Sequence, residues 1–283
     1  PEIIQSALRA SSNSPRYPVT AGTKDLQEAI RNWAITHLGA SGDFDVLPVI
    51  GSKELVAWLP TILESKSVIY PDVAYPTYLV GALLAQSQPI SVGIDADTWP
   101  SADFAWINTP GNPTGRVHSE AELRGAIKWA RANDSVLVCD ECYIDFGDKT
   151  TPTSLLKFTD SDNSNILVVH SLSKRSSMAG YRGAFLIGDA KLIAQIREVR
   201  KHAGMMVPLP IQNAMVAALS DESHVAEQRA RYNARRAILA PALQAAGFQI
   251  DDSVAGLYIW CTRSEDSWQS VDWLASLGIL ATP

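Results

Sequence analysis

Short apolar runs separated by helix-length segments constrain this chain more than any other feature. The runs at residues 46–50, 67–70, 104–107, 136–139, 165–170 and 184–187 are too short for buried helices and are rich in β-branched or aromatic residues, the pattern of strands covered on both faces. Between them, Leu26, Ile30, Trp33 and His37 recur at helical spacing, predicting a helix over 25–38; residues 76–86 read as another. Ser119-Glu-Ala-Glu122 is a capping box that opens a helix to about Ala132. Such alternation predicts βαβ units in an α/β fold, a mainly parallel sheet sandwiched by helices. From about Pro208 the character changes. Two helix-like stretches, the second placing Arg229, Arg231, Arg235 and Arg236 on a solvated face, lead to strands at 248–250 and 257–261, a smaller α+β unit. The expected division is a large domain over 19–205 and a small one from 1–18 plus 206–283. Both ends break off in mid-pattern, which predicts further segments outside them.

In a parallel sheet the ligand sits beyond the carboxyl ends of the strands, so the residues that follow each run are the ones that matter. They are Gly51-Ser52-Lys53, the segment from Asp72 to Tyr78, Asn108-Thr-Pro-Gly-Asn-Pro-Thr-Gly115, Asp140-Glu-Cys-Tyr143 and Ser171-Leu-Ser-Lys174, with Arg182 eight residues further on. A lysine delivered by a buried strand into a Ser-rich turn is a candidate nucleophile, because desolvation can lower the pKa of its amine. Glycine followed by a Ser cap at a strand-to-helix junction presents free backbone N–H groups, which suits a phosphate. Tyr75 offers an aromatic face, Asn112 and Tyr143 an amide and a phenol, Asp140 a carboxylate and Lys174 an amine. Together these are the inventory for holding a pyridinium cofactor by its ring, phenolic oxygen, ring nitrogen and aldehyde.

Composition excludes other classes. A net charge of −6 and a pI near 5.4 argue against a nucleic-acid or anionic-membrane partner. No apolar run reaches the ~20 residues of a membrane helix, and no basic region precedes an apolar core at the N-terminus, so the expected compartment is the cytoplasm. The Cys139–Cys142 pair has no second pair or nearby histidine set, and no metal site is expected from it.

The runs Asn108–Gly115, Asp140–Tyr143 and Ser171–Lys174, with Arg182 in Gly180-Tyr-Arg-Gly183, resemble the class I/II aminotransferases, pyridoxal 5'-phosphate enzymes of fold type I. Within them, Leu47–Glu54, Ala74–Tyr78 and Arg200–Pro208 are similar to the actinobacterial succinyldiaminopimelate aminotransferases of lysine and diaminopimelate biosynthesis. The resemblance implies that Lys174 binds the cofactor's aldehyde and later shuttles the substrate proton, and that Asp140 pairs with the pyridine nitrogen. It implies that Asn112 and Tyr143 bond the phenolic oxygen and that Tyr75, with Tyr78 as the other candidate, stacks on the ring. Ser52, Lys53, Ser171, Ser173 and Arg182 would hold the phosphate, and Tyr17 would reach the phosphate of a neighbouring subunit in a homodimer with shared active sites. Glutamate and 2-oxoglutarate would be one substrate pair and N-succinyl-2-amino-6-oxopimelate the amino acceptor. The arginine that clamps the substrate's α-carboxylate in this family is expected beyond residue 283.

Two other readings use some of the same residues. Ser171–Lys174 is an S-x-x-K tetrad and Ser161-Asp-Asn163 an S-D-N triad, but their order is reversed and no K-T-G follows. A lyase on the same fold would need much the same cofactor residues, and only product analysis separates it from a transaminase.

Overall fold

The computed structural model describes residues 1–147 and 152–283. The chain runs α1 (Glu2–Ala10), α2 (Lys24–Trp33), β1 (Asp45–Ile50), α3 (Ser52–Ile62), β2 (Ser67–Pro71), α4 (Thr77–Leu84), β3 (Gln88–Val92), β4 (Phe104–Asn108), α5 (Glu120–Asn133) and β5 (Val136–Asp140). It continues through β6 (Ile166–Ser171), α6 (Leu172–Arg175), β7 (Gly183–Gly188), α7 (Ala190–His202), α8 (Leu209–Leu219), α9 (Ser223–Ala245), β8 (Gln249–Ile250), β9 (Cys261–Thr262) and α10 (Ser267–Ser276). Among the described residues, seven strands form one sheet in the order β1-β7-β6-β5-β4-β2-β3, and β7 alone runs against the rest. This is the sandwiched, mainly parallel α/β sheet of the sequence reading.

Strands β4, β6 and β7 are buried along their whole length, with helices on both sides. One face packs Ile107, Cys139, Val168 and Phe185 against α1, α2, α5 and α8. The other packs Trp106, Val138, Leu167 and Leu186 against α3, α4 and α7. Two of the strand prolines stand at the sheet's edges, Pro48 in β1 and Pro89 in β3, and the third, Pro71, is the last residue of β2, positions where a missing N–H disrupts least. The capping box is present: Ser119 Oγ accepts from Glu122 N, and Glu122 accepts from Ser119 N at 2.7 Å. Ser119→Ala is expected to lower stability by about 1 kcal/mol, read from chemical denaturation.

Several elements differ from the sequence reading. The helix over 25–38 stays α-helical only to Trp33; a single wider turn, Ala34–Leu38, then closes on Gly39. Strand β3 has no apolar signature because three of its five residues are exposed. The 257–261 run contributes only Cys261–Thr262, paired antiparallel with Gln249–Ile250. Arg236 is not a solvated-face residue: its guanidinium donates to the carbonyls of Ser253 at 2.6 Å, Gly256 at 2.8 Å and Tyr258 at 3.1 Å. That clamp fixes the loop between β8 and β9. The same loop docks on the loop after β4 through Ser253 N to Thr114 O, 2.9 Å, and Ala255 N to Gly115 O, 3.0 Å. Gly115 is required there, since at φ +67 an added Cβ would lie 2.5 Å from Ala255 O. Among the described residues no helix is long and apolar enough to cross a membrane.

Candidate active site

Strand direction gathers the site. Strands β1, β4, β5 and β6 end at one edge of the sheet, and β7, running the other way, begins there. Pairing places Asn108 beside Asp140, Ser171 beside Ala184, and Ile50 beside Gly183. The segments that follow or precede those residues therefore meet. Ser52, Lys53, Tyr75, Asn112, Asp140, Tyr143, Ser171, Ser173, Lys174 and Arg182 all line one cavity of about 230 Å³. Tyr17 does not; it stands 94% exposed on the loop before α2.

The carboxylate of Asp140 lies at the floor, 7% exposed. It accepts from the Tyr78 hydroxyl at 3.0 Å and from Cys142 N at 3.0 Å, both neutral donors. Burial pushes its pKa above the ordinary aspartate value, and these hydrogen bonds only partly offset that. A buried carboxylate raised in this way is suited to a cationic N–H partner, which is what a protonated pyridine ring would present. Tyr78 is fully buried, stacks on Trp106 with centroids 5.1 Å apart, and its own phenol is held well above the usual range by burial and by Asp140. It therefore serves as the carboxylate's donor, while Tyr75, edge-on to it at 5.9 Å, also lines the cavity. The ammonium of Lys53 sits 5.6 Å over the Tyr75 ring.

On the opposite wall, Asn112 Nδ2 points to the Tyr143 hydroxyl at 3.4 Å. Asn108 sets this loop, its Oδ1 accepting from Asn112 N at 2.7 Å and its Nδ2 donating to Asp140 O at 2.8 Å. Burial raises the pKa of the Tyr143 phenol, so it stays an O–H donor at neutral pH. Its oxygen lies 3.5 Å from that of Tyr258, a residue the sequence reading missed.

The anion end is built from backbone as much as side chains. Gly51, not Ser52, caps α3; Ser52 is the first helical residue, and no side chain caps that terminus. The first N–H groups of α3 thus have no capping side chain and are open to an acceptor. Ser171 caps the turn carrying Lys174, accepting from Ser173 N at 3.2 Å and donating to Ser173 Oγ at 2.9 Å. Arg182, in a left-handed conformation, donates to Ala179 O at 2.7 Å. A Cβ on Gly51 would lie 2.0 Å from Arg182 Nη2, so the guanidinium occupies space that only glycine leaves. Gly51→Ala, also strained by φ +81, is expected to displace Arg182 and weaken pyridoxal phosphate binding by about 10- to 100-fold in an absorbance titration.

Lys174 is fixed from behind by its neighbour. Arg175, 2% exposed, pairs with Asp145 at 2.9 Å and Glu222 at 2.6 Å and lies over the Trp33 ring at 4.9 Å. The short helix α6 is thereby tied both to the segment after Tyr143 and to the start of α9. Carboxylate, amine, phenol–amide pair and anion-binding terminus all face one cavity, a donor set that fits a pyridinium ring bearing a phosphate and an aldehyde.

Comparison with known proteins adds an independent line. A family model described as aminotransferase class I and II matches residues 1–283. The chain is 48% identical to a probable aminotransferase of Mycobacterium tuberculosis, covering 99% of this chain and 69% of that protein. It is 46% identical to a 4-dedimethylamino-4-oxo-anhydrotetracycline transaminase of Streptomyces rimosus, covering 100% and 81%. Among solved structures, the N-succinyldiaminopimelate aminotransferase of Mycobacterium tuberculosis superposes with a TM-score of 0.90 at 26% identity, covering 100% of this chain and 80% of that one.

Proposed function

We propose that this chain, which belongs to the class I and II aminotransferases, moves an amino group from glutamate to a keto-acid acceptor by way of the pyridoxal phosphate that its family uses. The observation that carries this reading is the convergence of Asp140, Lys174, Tyr143 with Asn112, and Arg182 beside the open N-terminus of α3 on one cavity. When bound, the cofactor supplies an electron sink conjugated to the substrate nitrogen, without which the donor's Cα–H bond is too weakly acidic to break.

The chain's own residues do the rest. Lys174 Nζ would anchor the cofactor through its aldehyde and would be the base that takes the proton from the donor's Cα. Asp140 holds a proton on the ring nitrogen by opposing its charge in a water-poor site. Tyr143 and Asn112 would donate to the phenolic oxygen, and Tyr75 would cover the ring. Arg182, the hydroxyls of Ser171 and Ser173, and the N–H groups at Ser52 and Lys53 bind the phosphate.

The proposed acceptor is N-succinyl-2-amino-6-oxopimelate, giving N-succinyl-LL-2,6-diaminopimelate; the motif resemblance of Leu47–Glu54, Ala74–Tyr78 and Arg200–Pro208 supports it. A second reading is favoured by the 46% identity to the tetracycline-pathway transaminase: a bulky cyclic ketone as acceptor. The exposure of Tyr17 supports a homodimer in which that residue enters the partner's site, and the compartment proposed for it is the cytoplasm. Residues 1–18 and 206–283 are proposed as the smaller domain on the packing of α1 against α8, with α8 also packing on α2 and joining the core of the sheet.

The test is a pair of half-reactions on cofactor-loaded protein. Glutamate should bleach the visible band with release of 2-oxoglutarate, and the succinylated keto acid should restore it faster than an anhydrotetracycline ketone does. Restoration by the ketone alone moves the assignment to the second reading. Ammonia released together with pyruvate from a β-substituted amino acid, with no 2-oxoglutarate formed from glutamate, overturns transamination.

A further inference from the structure

A second cavity, of about 300 Å³, lies across the loop from the first and is not used by the proposed reaction. Its floor is the other side of the Asn108–Thr114 loop, and its outer wall is the loop between β8 and β9 that Arg236 clamps. Three indole-bearing residues, Trp99, Trp106 and Trp260, line it. So do three aspartates, Asp72, Asp251 and Asp252, from two separate parts of the chain.

The charges around the cavity do not cancel. Arg116, its one lining cation among the described residues, is already bonded to Glu122 at 2.7 Å. His118 also lines it; burial lowers the pKa of that imidazole to about 4, so it is neutral at physiological pH. Its Nδ1 is buried and has no hydrogen-bond partner, as is the Nε1 of Trp106. Three exposed carboxylates without a matching free cation, beside the half-buried indole of Trp260, attract a positive charge carried on an apolar body. A metal ion fits less well, since no group of three or more ligating side chains is close enough to hold one among the described residues.

The geometry points to this cavity as a second binding site, for a small organic ammonium ion held by Trp260 and the Asp251–Asp252 pair. The occupant would sit between the β8–β9 loop and the loop that carries Asn112, two parts otherwise joined by Ser253 N to Thr114 O and Ala255 N to Gly115 O.

The probe is benzyltrimethylammonium, which cannot condense with an aldehyde and so reports only on this chemistry. Binding is followed by ligand-observed NMR on protein loaded with pyridoxal phosphate, with benzyl alcohol as the uncharged control. Saturable binding is expected, weakened about fivefold or more by Trp260→Leu, the loss of one cation–π contact, and similarly by Asp251→Asn with Asp252→Asn. The two aspartates are exposed, so that double variant keeps the fold even if Trp260→Leu does not. Absence of saturable binding, equal binding of benzyl alcohol, or binding unchanged in the folded Asp variant overturns the site. The cofactor's visible band is unaffected by this probe, so failure here and failure of the aminotransferase reading are seen separately.

Discussion

Lys174→Ala is expected to abolish the visible band formed with pyridoxal phosphate and to slow the glutamate half-reaction by at least about 10⁴-fold. Two losses combine. The amine that fixes the cofactor is gone, and so is the group that takes the Cα proton, which alone contributes about 10² to 10⁴. The fold should survive, because Lys174 is only partly buried while the turn that carries it is held by Arg175 through Asp145, Glu222 and Trp33. Borohydride treatment makes the distinction sharp. Wild type should acquire a permanent mass increase on the peptide containing Lys174, and the variant should acquire none. A band of normal intensity in the variant would move the anchoring role to another amine, and Lys53, whose ammonium stands over Tyr75, is the one to examine.

That prediction rests on residues already legible in the sequence, and the reason is topological. A parallel sheet puts the ends of its strands at one edge, so an apolar run followed by Asp140 and another followed by Lys174 announce neighbours without any knowledge of contacts. The observed strands begin and end within one residue of those runs, because strands buried on both faces leave an unbroken apolar signature. What remained hidden lacks that signature. Strand β7 reads the same whether parallel or antiparallel, yet only its reversed direction brings Arg182 against Gly51. Strand β3 has three of its five residues exposed and carries a proline. Tyr258 reaches Tyr143 across 115 positions from an irregular loop, and no local pattern marks such a residue. Arg236 resembles its arginine neighbours on α9 and differs from them only in facing four carbonyls of that loop. Tyr78 was visible as an aromatic ring, but its task as donor to Asp140 depends on its burial beside Trp106.

Asp140→Asn is expected to reverse the usual relation between a site residue and stability. In the cofactor-free protein the carboxyl is buried, its donors are neutral, and its pKa is raised above 3.8. The folded form therefore holds the proton more tightly than the unfolded chain does. Its contribution to stability is greatest below the ordinary aspartate value and declines as the pH rises through 3.8 towards the raised value. Asparagine has no proton to lose. Its oxygen can keep the bond from Cys142 N, and its amide can donate to the Tyr78 hydroxyl, which rotates to accept. The cofactor-free variant should then melt no lower than wild type at neutral pH, and it should lack the decline expected of wild type as the pH rises above the ordinary aspartate value of 3.8. Turnover should move the other way. Without a negative charge opposite the ring nitrogen, that nitrogen loses its proton more readily, and removal of the donor's Cα proton should slow by about 10³-fold. Both measurements are needed. A variant that is less stable and only slightly slower would make Asp140 a structural residue of the β5 end, whereas one that is as stable but far slower carries the charge-pairing role derived from its surroundings.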